Sequence, residues 1–194
     1  MPKIMIWLGF ILSFMVGGIF GFGAQFWTPE VEQAALTPSG YGDLLDTEIR
    51  GIDPKTIEGY LNGDGLGLAL PAELNGYPGP RHILDLAEEL ALTSEQQTQV
   101  QDLFDQMKPQ AMALGEKILA AEGDLEQAFR EQTIQETNLS TQLMTLGDLQ
   151  SQLRFVHLRT HLATIDILSQ HQIVQYNALR GYEDMPADHQ NHHP

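Results

Sequence analysis

Two long apolar stripes at helical spacing do most to decide what this chain can become. The first runs through Val100, Leu103, Phe104, Met107, Ala111, Leu114, Ile118, Leu125 and Ala128. The second runs through Leu139, Leu143, Leu146, Leu149, Leu153, Val156, Thr160, Ala163 and Ile167. Steps of three and four place such residues on one side of an α-helix, so each stripe needs a partner surface. Between them, Thr133-Ile134-Gln135-Glu136 has the form of a capping box behind a tight turn near Gln132, and the second helix is expected to return antiparallel to the first. Pro109 interrupts the first stripe and is expected to bend its helix, because a proline removes one backbone hydrogen bond. A further apolar line, Phe155, Leu158, Leu162 and Ile165, gives the return helix a second face for short helices or a second subunit.

The ends of this hairpin carry a repeated device. Leu92-Thr93-Ser94-Glu95-Gln96 and Leu168-Ser169-Gln170-His171-Gln172 both read Leu-[Ser/Thr]-x-x-Gln. The hydroxyl of Thr93 or Ser169 can accept from the backbone N–H three residues on, and Gln96 or Gln172 can reach back to the cap's own N–H. A short helix over 81–91, with Ile83, Leu86, Ala87 and Leu90 on one face, precedes the first motif. A last helix with Ile173, Val174, Tyr176, Leu179 and Tyr182 follows the second and ends at Gly181. The expected fold is all-α: short, long, long and short helices forming a hooked antiparallel hairpin over 81–182, with both capping motifs at one end.

Upstream the composition changes. From Ile4 to Trp27 there is no charged residue, and Lys3 precedes the run. A bilayer-spanning helix takes about 20 apolar residues, so residues 1–27 read as a signal anchor or signal peptide. The remainder is then expected on the periplasmic side of a bacterial inner membrane, anchored or released. Residues 28–80 are rich in Gly, Pro, Asn and Asp and read as a linker and irregular segment. Within it, Asp53 and Pro54 can open one short helix with Ile57, Tyr60 and Leu61 as its apolar side. The stretch Gly63-Asp64-Gly65-Leu66-Gly67 lacks the Lys-[Ser/Thr] of a phosphate loop and the closing Glu of a calcium loop, and is expected to lay Leu66, Leu68 and Leu70 on the helical body. Residues 183–194 form a polar tail containing His189, His192 and His193.

The chain carries 26 acidic against 10 basic residues, a formal net charge of −16. This repels nucleic acid and suits cationic partners, including metal ions and unfolded chains with basic segments; it also serves solubility alone. With no cysteine, thiolate chemistry is excluded. No nucleophile–base spacing, zinc-protease motif or phosphate loop is present, and no enzyme activity is expected. His157 and His161, at i and i+4, can present two imidazoles to one divalent transition metal, with His82, Glu88, Glu89, Asp166 or His171 as candidate completing ligands. Met107, Met112 and Met144 would favour Cu(I) if they gathered, whereas Met107 fits a core position. The same histidine pair has ordinary roles too, beside Arg159 and Asp166.

With its paired Leu-[Ser/Thr]-x-x-Gln motifs on a four-helix chain behind an export signal, the sequence resembles the Spy/CpxP family over about residues 81–182. The second motif departs from the usual Thr-Pro-Glu-Gln form but keeps both capping groups. The resemblance implies a hooked helical hairpin, a homodimer, and a surface for unfolded clients or a metal site. Expected functions are therefore client holding or envelope-stress reporting, metal sensing or buffering, and structural pairing with a membrane-bound signalling partner.

Overall fold

The computed structural model describes residues 40–182, apart from residue 48 and the side chain of Asp43. The expected membrane helix and the tail histidines His189, His192 and His193 lie outside the described residues. Among the described residues no helix is long and apolar enough to cross a membrane. The described chain is all-α, without strands. After a 3-10 turn at Gly42–Leu44 come α1 (Pro54–Asn62), α2 (Leu70–Glu73), α3 (Pro80–Asp85), α4 (Ser94–Arg130), α5 (Glu136–Ile165) and α6 (Gln170–Arg180).

The two stripes form the 37-residue α4 and the 30-residue α5, packed against each other as an antiparallel hairpin. Met107, Ala111 and Ile118 of α4 meet Leu146, Leu153 and Val156 of α5 in one apolar cluster. A second cluster, at the start of α4, joins Ile83, Leu90, Leu92 and Val100 to Leu168, Ile173 and Tyr176. The helix assignment of α4 runs unbroken through both Pro109 and Gly123. Leu143, placed in the second stripe by its spacing, is exposed, as are Phe155 and Leu162 of the further apolar line. Thus, among the described residues, part of α5 is left without a covering partner.

Local signals hold where a side chain closes on its own backbone. Asp53 caps α1 by accepting from the N–H of Thr56 at 3.0 Å, and Pro54 opens the helix. Both capping boxes form: Thr93 Oγ1 accepts from the Gln96 N–H at 3.1 Å, and Ser169 Oγ from the Gln172 N–H at 3.3 Å. Gly181 ends α6 with φ at 73°. The box expected at Thr133 does not form. Gln132 takes φ 57°, the Thr133 hydroxyl donates back to the Ala128 carbonyl at 3.4 Å, and Gln135 occupies the cap position without a side-chain bond. The helix expected over 81–91 stops at Asp85; turns follow, and Ala91 at φ 47° swings Leu92 towards the core. Apolar periodicity alone cannot distinguish such turns from a helix, since Ile83 and Leu90 are buried either way.

The segment expected as linker is folded onto the hairpin. α1 packs on α4, and α2 on α5. Gly115 makes the close approach possible, because a Cβ there would stand 2.3 Å from the carbonyl oxygen of Tyr60. Of the three leucines expected to dock, Leu68 packs against the hairpin cluster, whereas Leu66 and Leu70 stay exposed.

Candidate functional site

The base of the hairpin is a single hydrogen-bonded joint. Gln96 Oε1 accepts from the Thr93 N–H at 3.1 Å, and Gln172 Oε1 from the Ser169 N–H at 2.9 Å. Each amide nitrogen then reaches across: Gln96 Nε2 donates to Gln172 Oε1 at 2.9 Å, and Gln172 Nε2 donates to Gln96 Oε1 at 3.0 Å. The same nitrogens also donate to carbonyls beside the other cap, Ile167 at 2.9 Å and Leu90 at 3.3 Å. Leu92 and Leu168, the first residues of the two motifs, share the apolar cluster beneath. The repeated motif is therefore one two-sided clamp that fastens the start of α4 to the start of α6.

A buried carboxylate lies next to this clamp and was absent from the sequence-based candidates. Glu73 at the end of α2 is only 5% exposed. It accepts from the hydroxyl of Tyr176 on α6 and from the Gly79 N–H at 3.1 Å. His82 Nδ1 stands at 3.3 Å, and His161 Nδ1 and Arg180 Nε at 3.8 Å. Burial alone would raise its pKa, but hydrogen bonds from His82 and Tyr176, the His82 charge and the Gly79 N–H outweigh it and hold the carboxyl below its ordinary range. Burial and the bond to Glu73 push the Tyr176 hydroxyl well up, so it remains a donor. One carboxylate thereby ties α2, α3, α5 and α6 together.

Beside Glu73 opens a cavity of about 540 Å³, walled by the 62–67 loop, α2, the start of α3, and α4 and α5. His157 and His161 both line it. His157 is 5% exposed, and its Nε2 has no hydrogen-bond partner. Burial first, and then the neighbouring His161, lower its pKa, while Asp64 pulls the other way. His161 Nδ1 meets the Tyr77 carbonyl at 2.7 Å and must donate there, since a carbonyl only accepts. Its ring packs on Gly79, where a Cβ would lie 2.9 Å from Nε2.

The structure therefore brings the two histidines to one wall, but no group of three His, Asp or Glu side chains that could hold a metal ion occurs among the described residues. Of the candidate completing ligands, only His82 lines the cavity, and it is turned to Glu73. Glu88, Glu89, Asp166 and His171 are exposed elsewhere. Nor do the methionines gather: Met107 is core and Met144 stands exposed on α5. The tested fit is thus two imidazoles, one already oriented by a backbone carbonyl, with an incomplete donor set.

Outside the cavity, α5 carries an uncovered apolar line. Phe155 is 61% exposed, Leu162 55% and Met144 74%, with Leu158 half-buried among them. At 100° per residue these four fall within one narrow sector of the helix. Arg159 borders the line, its guanidinium 5.5 Å from the Phe155 ring centroid and hydrogen-bonded to Gln110. No family model, curated protein or solved structure matches the chain.

Proposed function

We propose that this chain is a non-catalytic binding protein of the cell envelope that holds unfolded or partly folded clients against α5. The observation that carries the reading is the apolar line Met144, Phe155, Leu158 and Leu162, which nothing in the described chain covers. Exposed large apolar side chains gathered on one helix face mark a contact site. The paired capping motifs and their resemblance to the Spy/CpxP family support it, as does a hooked hairpin held shut by the glutamine clamp. The envelope setting rests on the uncharged run from Ile4 to Trp27, and a homodimer rests on the resemblance alone. A charge of −16 favours clients with basic segments.

α1 packs on α4 and α2 on α5, and the contact is assigned to the face of α5 that the described residues leave open. The test is suppression of aggregation when a chemically denatured client is diluted into buffer containing the chain. Native protein keeps light scattering low, and Phe155→Glu/Leu162→Glu does not. Equal suppression by both would refute the assignment. Sedimentation of the same two proteins shows whether the face also pairs two copies.

A second reading rests on His157 and His161 sharing one wall, with His157 Nε2 unpartnered. Here a divalent transition metal binds both imidazoles and the chain buffers or senses it. Calorimetric titration with zinc, nickel, cobalt or copper tests this: His157→Ala/His161→Ala abolishes binding, and retained affinity removes the reading.

A further inference from the structure

The cavity beside Glu73 has a charge pattern that neither histidine chemistry nor the α5 face accounts for. Two acidic and two basic side chains line it beside the histidines: Asp64, Glu73, Arg81 and Lys108. Two are already used. Glu73 is held by Tyr176, Gly79 and His82, and Arg81 pairs with Asp85 at 3.1 Å. Asp64 and Lys108 make no ion pair with any described residue; Lys108 only faces the Phe104 ring at 5.9 Å. Leu66, Leu70, Phe104 and Met107 supply an apolar part of the wall, beside the polar Asn62, Thr160 and the histidines.

Two further features point to an occupant. Leu66 is held at φ 45°, a conformation unfavourable for a branched side chain, and it and Leu70 stay exposed instead of docking into the core. His157 presents a buried Nε2 with no protein partner, and a buried polar atom of this kind costs stability unless something bonds it. The volume of about 540 Å³ falls in the range of about 300–1,000 Å³ typical of small-molecule sites. A fatty acid would leave Asp64 unanswered, and a simple cation would leave Lys108 and the apolar wall unanswered. One free charge of each sign beside an apolar surface is complementary to a zwitterion with an apolar side chain.

We propose that this cavity binds a free amino acid with a large apolar side chain, its ammonium on Asp64, its carboxylate on Lys108 and its side chain among Leu66, Leu70, Phe104 and Met107. His157 Nε2 supplies a further hydrogen bond. The site is separate from the client face, and neither assignment depends on the other.

The test is calorimetric titration of the full chain in detergent, in buffer containing EDTA so that no metal on the histidines takes part. L-phenylalanine binds saturably. N-acetyl-L-phenylalanine, which lacks the ammonium, and L-phenylalanine amide, which lacks the carboxylate, each bind about tenfold more weakly. Asp64→Asn brings L-phenylalanine down to the affinity of its N-acetyl form and leaves that form unaffected. Lys108→Gln does the same with respect to the amide. Both side chains are exposed, so the variants keep the native circular dichroism. Absence of saturable binding, equal affinity for all three compounds, or indifference to both substitutions would each overturn the proposal.

Discussion

Replacing Gln96 and Gln172 singly and together asks whether the repeated motif is two local helix caps or one clamp. Gln96→Ala removes the bond that satisfies the Thr93 N–H, the bond to the Ile167 carbonyl and both amide–amide bonds to Gln172. Net hydrogen bonds contribute about 0.5–1.5 kcal/mol each, and the groups left behind are partly buried, so the single change should cost about 2–3 kcal/mol. Gln172→Ala should cost a similar amount, through the Ser169 N–H, the Leu90 carbonyl and the same shared pair. In the double variant the shared pair is lost only once. The doubly substituted protein is therefore expected to be more stable than the sum of the two costs implies, by about 1–2 kcal/mol. Urea unfolding of the chain from residue 28 measures this, followed by circular dichroism at a helical wavelength. The tryptophans, Trp7 and Trp27, precede the described residues and are unsuited as reporters. Independent caps would instead give additive costs, within about 0.3–0.5 kcal/mol, and that result would refute the clamp.

Glu73→Ala leaves the Tyr176 hydroxyl and the Gly79 N–H buried and unpaired, at about 1–3 kcal/mol each; Glu73→Gln keeps an acceptor and should lose less than half as much in the same urea assay. Acidification should lower the melting temperature in two steps. The ring of His157 has its folded pKa below 6.5, so its contribution is complete above that value and is lost as pH falls from there through the folded pKa. The depressed carboxyl of Glu73 acts likewise, complete above about 4.5 and lost as pH falls through its own folded value. His157→Gln should flatten the first step and leave the second. Gly115→Ala places a Cβ 2.3 Å from the Tyr60 carbonyl and should cost about 1–3 kcal/mol by lifting α1 from α4, whereas Gly147→Ala on α5, with open space around it, should stabilise by about 0.5–1 kcal/mol in thermal melts.

What the sequence made legible was what it encodes locally. Thr93 with Gln96, Ser169 with Gln172, and Asp53 before Pro54 each specify a helix start within four residues, and each forms. The long stripes were equally readable, because their period repeats over many turns. Thr133 shows the limit of such motifs: Gln132 adopts a positive φ, and the hydroxyl that could have capped α5 serves the end of α4 instead. Glu73 was illegible for a different reason. Its partners come from residues 79, 82, 161, 176 and 180, and no spacing in a Gly- and Pro-rich stretch announces such distant neighbours. The cavity depends on the same folding-back of α1 and α2, so Asp64 and Lys108 could not be paired from the sequence. The lone glutamate in Leu70-Pro71-Ala72-Glu73-Leu74 was the only available hint.

The central claim, that clients rest on the outer face of α5, is tested most directly by photo-crosslinking. A benzophenone side chain is placed at position 155 on α5 or at position 105 on α4, both exposed in the folded chain. Each protein is irradiated while a denatured client refolds beside it. The account predicts strong client adducts from position 155 and few from position 105, with position 155 adducts disappearing once the client is native. Equal capture at the two positions, or capture at position 105 alone, would contradict it.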